Sequence, residues 1–556
     1  MTQNISETKY DVIGLSMVKN EADVIEAFVR HNLAYLDMLI VADNDSSDGT
    51  REILLALQNE GLPVLIFDDP IFGYFQSQKM TFMYRKITSV LPASHIILLD
   101  ADEFILAGSR DHFYDALGRL PVGSQGQYFW RTYIPSPQGI VRRDVLREIR
   151  HRRKVETPSY PKSVIACDNR INSQVVVDQG NHNVRLANGH MLPCYQLTGV
   201  ALAHFPVRNA EQIKAKVVNG WFAYLAKNRT QHVPGEGYQW QQLYRKAIDC
   251  NGLTAEDVTR EALSYAQTAT PQTWPDDVTL DPITPQYPEL SYFGLGIADA
   301  FAKVARSCER LFVPNPRFLF NLKQIPTVHD ANGGQQASTA FHGSWHQQNL
   351  YLDLPPFRHV AERHRPESVL DLGCGLGGYL KIFSDSGAKR TVGVDGFPAG
   401  AAFLNEGPYL QRDLSKPLDL NETFDLVLCT EVIERITPSC EDAVVDNILR
   451  HARERVVFSG ADVGQPGVSH INCKPIGYWL EKFSARGWEP NLLDTYSMRA
   501  LASFSWFQRN TVVLVRKGGV DGNAALELIR QAGQKVNWGD QKAAIVTHPF
   551  AAMMSK

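Results

Sequence analysis

Residues 368–383, SVLDLGCGLGGYLKIF, constrain the fold of this chain more than any other segment. An apolar run that ends in a glycine-rich turn and restarts at helical spacing reads as strand, tight turn and helix. Gly373, Gly375 and Gly378 satisfy G-x-G-x-x-G, and Asp395 ends the next apolar strand, TVGVD, twenty residues after Gly375. Both facts fit a doubly wound α/β sheet, in which glycine lets the backbone approach a pyrophosphate. TFDLVLCTEVIERI and RVVFSG supply further strands.

The ligand is a separate question. Asp371 precedes the glycines, giving D-x-G-x-G. An acid there suits the cationic methionine end of S-adenosylmethionine better than a pyrophosphate. Asp413 in LQRDL follows at the spacing of an adenine contact, and Glu431 comes directly after the fourth strand. A dinucleotide site and a purely structural turn are the alternatives. As a whole, residues from about 346 to 517 resemble class I S-adenosylmethionine-dependent methyltransferases. That resemblance implies that Asp371, Gly373 and Gly375 line the cofactor cleft, that Asp395 holds the ribose hydroxyls, and that Asp413 holds the adenine amino group. It sets Glu431 near the methyl-transfer cleft, although an exposed acid at a helix start is an equal reading. Many relatives carry EVxEH where this chain has Arg435, which leaves that position without an implied role.

Further on, GVSHINCKPIGYWLEKFSARGWE resembles the substrate-side segment of methyltransferases encoded with surface-polysaccharide enzymes. His470 lies in a loop before a helix, where a neutral imidazole could take a proton from a sugar hydroxyl. The alternative is a loop histidine bound to backbone. Trp479 and Trp506 read as core residues or as a sugar-stacking wall.

The first 250 residues alternate strand and helix patterns: YDVIGLSMV, ADVIEAFVRHNLAYL, MLIVADN, REILLALQNEGL, PVLIFDD and HIILLDADEF. Such alternation implies a mostly parallel sheet covered by helices. SSDGT supplies a turn and a helix cap, and Gly61 closes the helix that follows. Asp100, Asp102 and Glu103 sit where ILLDADEF leaves its strand. Side chains alternate along a strand, so Asp100 and Asp102 point the same way if extension continues. Two adjacent carboxylates repel unless a cation neutralises them, and hard oxygen ligands suit magnesium or manganese. The pattern reads as a diphosphate–metal site or, more blandly, as a polar strand end.

The run VKNEADVIEAFVRHNLAYLDMLIVADNDSSDGTREIL, followed about fifty residues later by LLDADEF, resembles glycosyltransferase family 2 over roughly residues 10–245. The resemblance implies a GT-A fold and inverting transfer of a sugar from a nucleotide-diphosphate donor. Ser16, Val18, Asn20, Glu21, Asp43 and Asp45 would line the nucleotide pocket, and Asp100 and Asp102 match the metal and diphosphate motif. Asp48 belongs to the turn motif or caps its helix. Asn44 replaces an acid of the common form, which leaves the accepted base open. In LAHFPVRNAEQIKAKVVNGW, His204 is the candidate third metal ligand, with His182 in GNHNV as its competitor. Arg208, Lys214 and Lys216 could add to diphosphate binding, and Lys162 in YPKSVI matches a family lysine or is a solvated surface charge. An inverting transfer needs a carboxylate near the acceptor hydroxyl. Glu148 and Asp178 lie in the right region, and nothing selects between them.

Composition bounds the remaining classes. With 44% hydrophobic and 21% charged residues the chain is globular rather than disordered. Its net charge of -4 gives no global reason to expect nucleic-acid binding. No stretch approaches the ~20 apolar residues of a membrane span, though peripheral membrane contact stays open. MTQNISETKYD lacks the basic start and apolar run of a secretory signal. Eight cysteines without a CxxC pair read as reduced thiols of a cytoplasmic protein.

The expected organisation is a GT-A domain over 1–250, a helical and proline-rich connector over 251–345, a Rossmann-like methyltransferase domain over 346–520, and a tail over 521–556. The polar stretch at 327–345 is expected to be protease-sensitive. Function follows as a bifunctional transferase. It would use a nucleotide-diphospho-sugar, S-adenosylmethionine and divalent manganese or magnesium, and act on a glycan or lipid-linked glycan of surface polysaccharide. Two alternatives are a methyltransferase of a protein or small molecule with a carbohydrate-binding first domain, and a scaffold with decayed sites.

Overall fold

Parallel strands buried on both faces should be apolar almost throughout, and the first strands of this chain are. In the computed structural model, β1 (Val12–Val18), β2 (Met38–Asp43), β3 (Val64–Asp68) and β4 (His95–Asp100) pair in parallel in the order β3-β2-β1-β4. The structure describes residues 11–73, 75–138, 143–228, 244, 253–267, 272–297, 299–310, 312–313, 315, 352–397, 399, 403–467 and 469–518. Helices α1 (Ile25–Asn32), α2 (Thr50–Asn59) and α3 (Gln76–Val90) connect the four strands. Gly49, at φ +100, begins α2 without a side-chain cap. Asp48, expected as the cap, accepts from Thr50 N at 3.0 Å and Ala22 N at 3.1 Å and meets Lys303 Nζ at 3.1 Å.

Beyond β4 the sheet becomes mixed. After β5 (Glu103–Leu106) and α4 (Arg110–Gly118) come β6 (Gln125–Ile134), α5 (Val145–Glu148), β7 (His151–Arg153) and β8 (Pro161–Ala166). Strand β8 runs antiparallel to both β4 and β6. Strands β9 (Val175–Val177) and β10 (Val184–Leu186) form a separate hairpin, and β11 (Cys194–Gln196) and β12 (Ala201–His204) return to β6.

The region expected as a connector folds in part onto this first unit. After α6 (Ala210–Asn228) come α7 (Ala255–Ser264), β13 (Val278–Leu280) and α8 (Ala300–Glu309). Val258, Ala262 and Leu263 of α7 pack with Ile134, Val207, Ile213 and Val217. β13 pairs antiparallel with β7, and the Glu26 carboxylate accepts from Ser291 N and Tyr292 N at 2.7 Å each. The described residues up to 315 form one compact unit and those from 352 on another. The expected boundary near 345, the polar stretch 327–345 and the tail 521–556 lie outside the described residues.

Thr254 and Asp257 cap α7 reciprocally, Thr254 Oγ1 accepting from Asp257 N at 3.1 Å and Asp257 Oδ2 accepting from Thr254 N at 3.0 Å. Such a box stabilises a helix start by about 1 kcal/mol. Thr254→Ala should therefore lower the free energy of opening at the α7 amides by about 1 kcal/mol, read by hydrogen exchange. Unchanged protection would mean that packing alone holds the helix.

The second unit begins with α9 (Leu354–His364) and β14 (Ser368–Leu372), then α10 (Gly378–Asp385), β15 (Arg390–Asp395), β16 (Tyr409–Gln411) and β17 (Phe424–Thr430). It continues with α11 (Glu441–His451), β18 (Ala452–Ser459), α12 (Ile476–Ala485), β19 (Trp488–Pro490), α13 (Leu492–Leu501), α14 (Ser505–Asn510) and β20 (Val512–Arg516). The sheet order is β16-β15-β14-β17-β18-β20-β19, parallel up to β18, with β20 antiparallel to both neighbours. Its core gathers Phe357, Val369, Leu380, Leu428, Val457 and Phe507. Among the described residues no helix is long and apolar enough to cross a membrane.

Candidate functional site

The acids of the first unit leave β4 at a turn, so Asp100 and Asp102 do not share an extended strand. Asp100 Oδ2 meets Lys162 Nζ at 2.5 Å, and its Oδ1 accepts from Gln76 Nε2 and Asn181 Nδ2 at 3.0 Å each. Asp102, nearly buried, meets Lys216 Nζ at 2.8 Å and lies 4.0 Å from Arg208 and 3.8 Å from His204 Nε2. Burial alone would raise the Asp102 carboxyl, but the charges of Lys216 and Arg208 hold it well below the usual carboxylate range. Glu103 is buried and pushed up to about 8, while accepting from Trp130 Nε1 at 2.7 Å. Trp130 stacks on His204 at 4.1 Å between centroids and meets His182 edge-on at 5.6 Å. Burial lowers His204 to about 3, so its ring is neutral.

The expected metal set of Asp100, Asp102, His204 and His182 does not fit this arrangement. Each carboxylate already faces an ammonium group, Asp100 that of Lys162 and Asp102 that of Lys216. Among the described residues no cluster of three or more His, Cys, Asp or Glu is placed to hold a metal ion. Lys214 pairs with Glu211 one turn away, whereas Lys216, two residues on, lies on the opposite side of α6 and reaches Asp102. Arg208 is enclosed by Glu21 at 2.5 Å and Asp23 at 2.7 Å.

The other expected residues of this unit have settings of their own. Ser16 and Val18 are buried in β1. Asn20 donates to Ser307 Oγ of α8 at 3.0 Å. Asp43, pushed up to about 6 by burial, lies 3.9 Å from Arg51. Asp45 accepts from Asn315 at 2.9 Å. Beside it a cavity of about 490 Å³ is lined by Ser46, Ser47, Gly49, Glu52, Arg306 and Arg310, among others. Of the two candidate bases, Glu148 accepts from Arg143 N and Asp144 N at 2.9 Å each, ahead of its own helix, and Asp178 pairs with Arg185 at 2.7 Å.

In the second unit the strand order reverses at β14 and β17, which opens a crevice at their carboxyl ends. Gly373, Gly375 and Gly377 there have φ of +85, +53 and +76, a backbone open to glycine and strained for other residues. A Cβ on Gly373 would stand 2.2 Å from Val432 Cγ2, so the turn packs directly on the segment leaving β17. Gly375 N donates to Asp395 Oδ2 at 2.9 Å and Gly396 N to Asp395 Oδ1 at 2.6 Å, which aims that carboxylate across the glycine turn. Asp371 is 2% exposed, and burial together with the charge of Asp395 pushes it up to about 8. Asp413, by contrast, is exposed and taken up by Ser415 Oγ at 2.6 Å and Lys416 at 3.3 Å.

Residues 345–502 match a family model described as a methyltransferase domain. The second unit carries a methyltransferase domain. An O-methyltransferase family protein from Burkholderia thailandensis is similar at 14% identity and a TM-score of 0.24, over 33% of this chain and 59% of that one. An O-methyltransferase from neocarzinostatin biosynthesis gives 12% and 0.24, over 32% of this chain and 56% of that one. The magnesium protoporphyrin IX methyltransferase of Synechocystis gives 18% and 0.24, over 34% and 90%. TM-scores this low add nothing to the family match. Among curated proteins none matches the chain.

His470 of the methyltransferase unit has a more enclosed setting than an open loop would give it. Its side chain is 8% exposed, with Nδ1 3.2 Å from the Gln465 carbonyl oxygen and Nε2 3.8 Å from buried Glu434. Ile471 N and Asn472 N both donate to the Glu434 carbonyl at 2.9 Å, which holds the loop inward. Trp479 is fully buried and belongs to the core, and Trp506 stacks on Phe504 at 4.6 Å. Gln465 and Asn510 carried no sequence signal, yet they join Glu431 in one chain: Gln465 Nε2 donates to Glu431 Oε2 and Asn510 Nδ2 to Gln465 Oε1, each at 2.7 Å.

Proposed function

We propose that the methyltransferase unit moves a methyl group from S-adenosylmethionine to a hydroxyl of a glycan, and that the first unit transfers a sugar from a nucleotide-diphosphate donor to a glycan of the same kind. The methyl-transfer half is carried by the glycine turn at the strand-order reversal, with Asp395 aimed across it by Gly375. When bound, the cofactor supplies an electrophilic methyl group on a sulfonium sulfur. Gly373 and Gly375 let the main chain come close to it. Asp395 binds ribose hydroxyls with the lone pairs that Gly375 and Gly396 leave free. Asp371 becomes ionised beside a cationic ligand, since a nearby positive charge favours the carboxylate.

The sugar-transfer half is supported by the parallel order β3-β2-β1-β4, with Asp43 and Asp100 at strand ends, and by the cavity beside Asp45. The pairing of Asp100 with Lys162 and of Asp102 with Lys216 favours a second reading, in which the first unit binds carbohydrate without transferring it.

Thermal unfolding with added ligands separates these readings. S-adenosylmethionine at a hundred times its Kd should stabilise the methyltransferase unit by about 2.7 kcal/mol. Nucleotide-diphospho-sugars should stabilise the first unit equally well with and without manganese. No response to S-adenosylmethionine would sink the methyl-transfer reading. A response of the first unit to glycans alone would favour binding over transfer.

A further inference from the structure

Glu431 is the first residue after β17, and it occupies left-handed backbone at φ +56. A glutamate rarely adopts that conformation, and such strain persists where surrounding contacts hold it and gathers at functional sites. The contacts are visible. Glu431 N donates to both the carbonyl oxygen and Oγ of Ser459 at the end of β18, at 3.1 Å each. Its Oε2 accepts from Gln465, which is fixed in turn by Asn510 of α14. Ser459 therefore holds the main chain of Glu431, while Gln465, backed by Asn510, aims its carboxylate.

What they leave is a single atom. Glu431 Oε1 is shielded from solvent, and among the described residues none is placed to donate a hydrogen bond to it. A buried acceptor without a donor is costly, so the site is built to receive an N–H or O–H from outside the chain. Val432, the next residue, packs against Gly373 of the glycine turn, which sets Glu431 at the edge of the cofactor crevice. The two nitrogens of His470 face Gln465 and Glu434 instead.

The geometry points to Glu431 as the group that takes the proton from the acceptor hydroxyl during methyl transfer. This rests on the reading of the unit as a hydroxyl methyltransferase. The acceptor oxygen forms a bond to the methyl carbon as the methyl–sulfur bond breaks. That bond's electron pair returns to sulfur, and the hydroxyl proton passes to Glu431 Oε1. Burial raises the Glu431 carboxyl above its ordinary range, which makes it a better proton acceptor than an exposed glutamate.

The test compares wild type with Glu431→Gln on two probe acceptors, methyl glycosides and a 1-thioglycose whose thiol is already ionised. S-adenosylmethionine affinity is measured by calorimetry. Glu431→Gln should lose at least about a hundredfold in turnover on methyl glycosides. It should stay within about threefold of wild type on the thiolate, and bind S-adenosylmethionine within about threefold. Glu431→Asp, which keeps a carboxylate, should exceed Glu431→Gln on methyl glycosides. Equal loss on both acceptors, or full activity on methyl glycosides, would overturn the role. A tenfold loss of cofactor affinity would also overturn it, since Glu431 would then be holding the cofactor's ammonium. A wild type inert toward methyl glycosides but active on the thiolate, or inert toward both, overturns the hydroxyl reading itself.

Discussion

Asp371→Asn is expected to make the ligand-free methyltransferase unit more stable while removing most of its affinity for S-adenosylmethionine. Asp371 is buried in β14, and its carboxyl is pushed from 3.8 up to about 8 by that burial and by the charge of Asp395. A carboxyl raised above its unfolded value contributes stability that is fully present below pH 3.8 and is lost as pH rises through about 8. At pH 7 the folded group must hold a proton that the unfolded one has released, at a cost on the order of 4 kcal/mol. An uncharged asparagine of the same shape escapes that cost. Urea unfolding without ligand should therefore show the variant gaining on wild type as pH rises from 5 to 8. Calorimetry should show at least a tenfold weaker Kd for S-adenosylmethionine. A variant less stable than wild type at pH 8 would mean that Asp371 holds the fold together rather than serving a cationic ligand.

Asp494→Leu should act in the opposite direction, costing about 3 kcal/mol at pH 7 with the urea m-value unchanged. Asp494 is 2% exposed at the start of α13, where it meets Arg363 Nε at 2.8 Å, His364 Nε2 at 2.9 Å and Arg455 Nε at 3.6 Å. Removing the acid takes a close counter-charge from two half-buried guanidinium groups, and breaking such clusters from one side is strongly destabilising. Burial alone would raise Asp494, but His364, Arg363 and Arg455 hold it well below the usual carboxylate range. A depressed carboxyl contributes stability that is present above about pH 4 and is lost as pH falls further. The gap between wild type and Asp494→Leu should accordingly narrow below pH 4. A gap that does not change with pH would indicate lost packing rather than lost charge.

Much of the methyltransferase unit was legible because its requirements are local. A strand that must turn tightly at +85° of φ writes glycine at 373, and a carboxylate that must face that turn ends the next strand at Asp395. The apolar strands from β1 to β4 were legible for a similar reason, since burial on both faces leaves little room for polar residues. Asp413 fitted the spacing of an adenine contact, yet it stands exposed in a turn with Ser415 and Lys416, because spacing along a chain does not carry burial.

Sequence order therefore determined two units built on parallel strands, the glycine turn and the acids at the strand ends. Tertiary structure alone decided what those acids face. Lys162 and Lys216 come from 62 and 114 positions away to close Asp100 and Asp102, and no local pattern distinguishes them from surface lysines. Gln465 and Asn510 reach Glu431 across 34 and 79 positions, the second through the first. Residues 253–310 join the first unit because α7 and β13 bury apolar side chains that a free connector would expose. The reason is common to all three. A buried charge or apolar face requires a partner of a given kind, and any part of the chain that folding brings close can supply it.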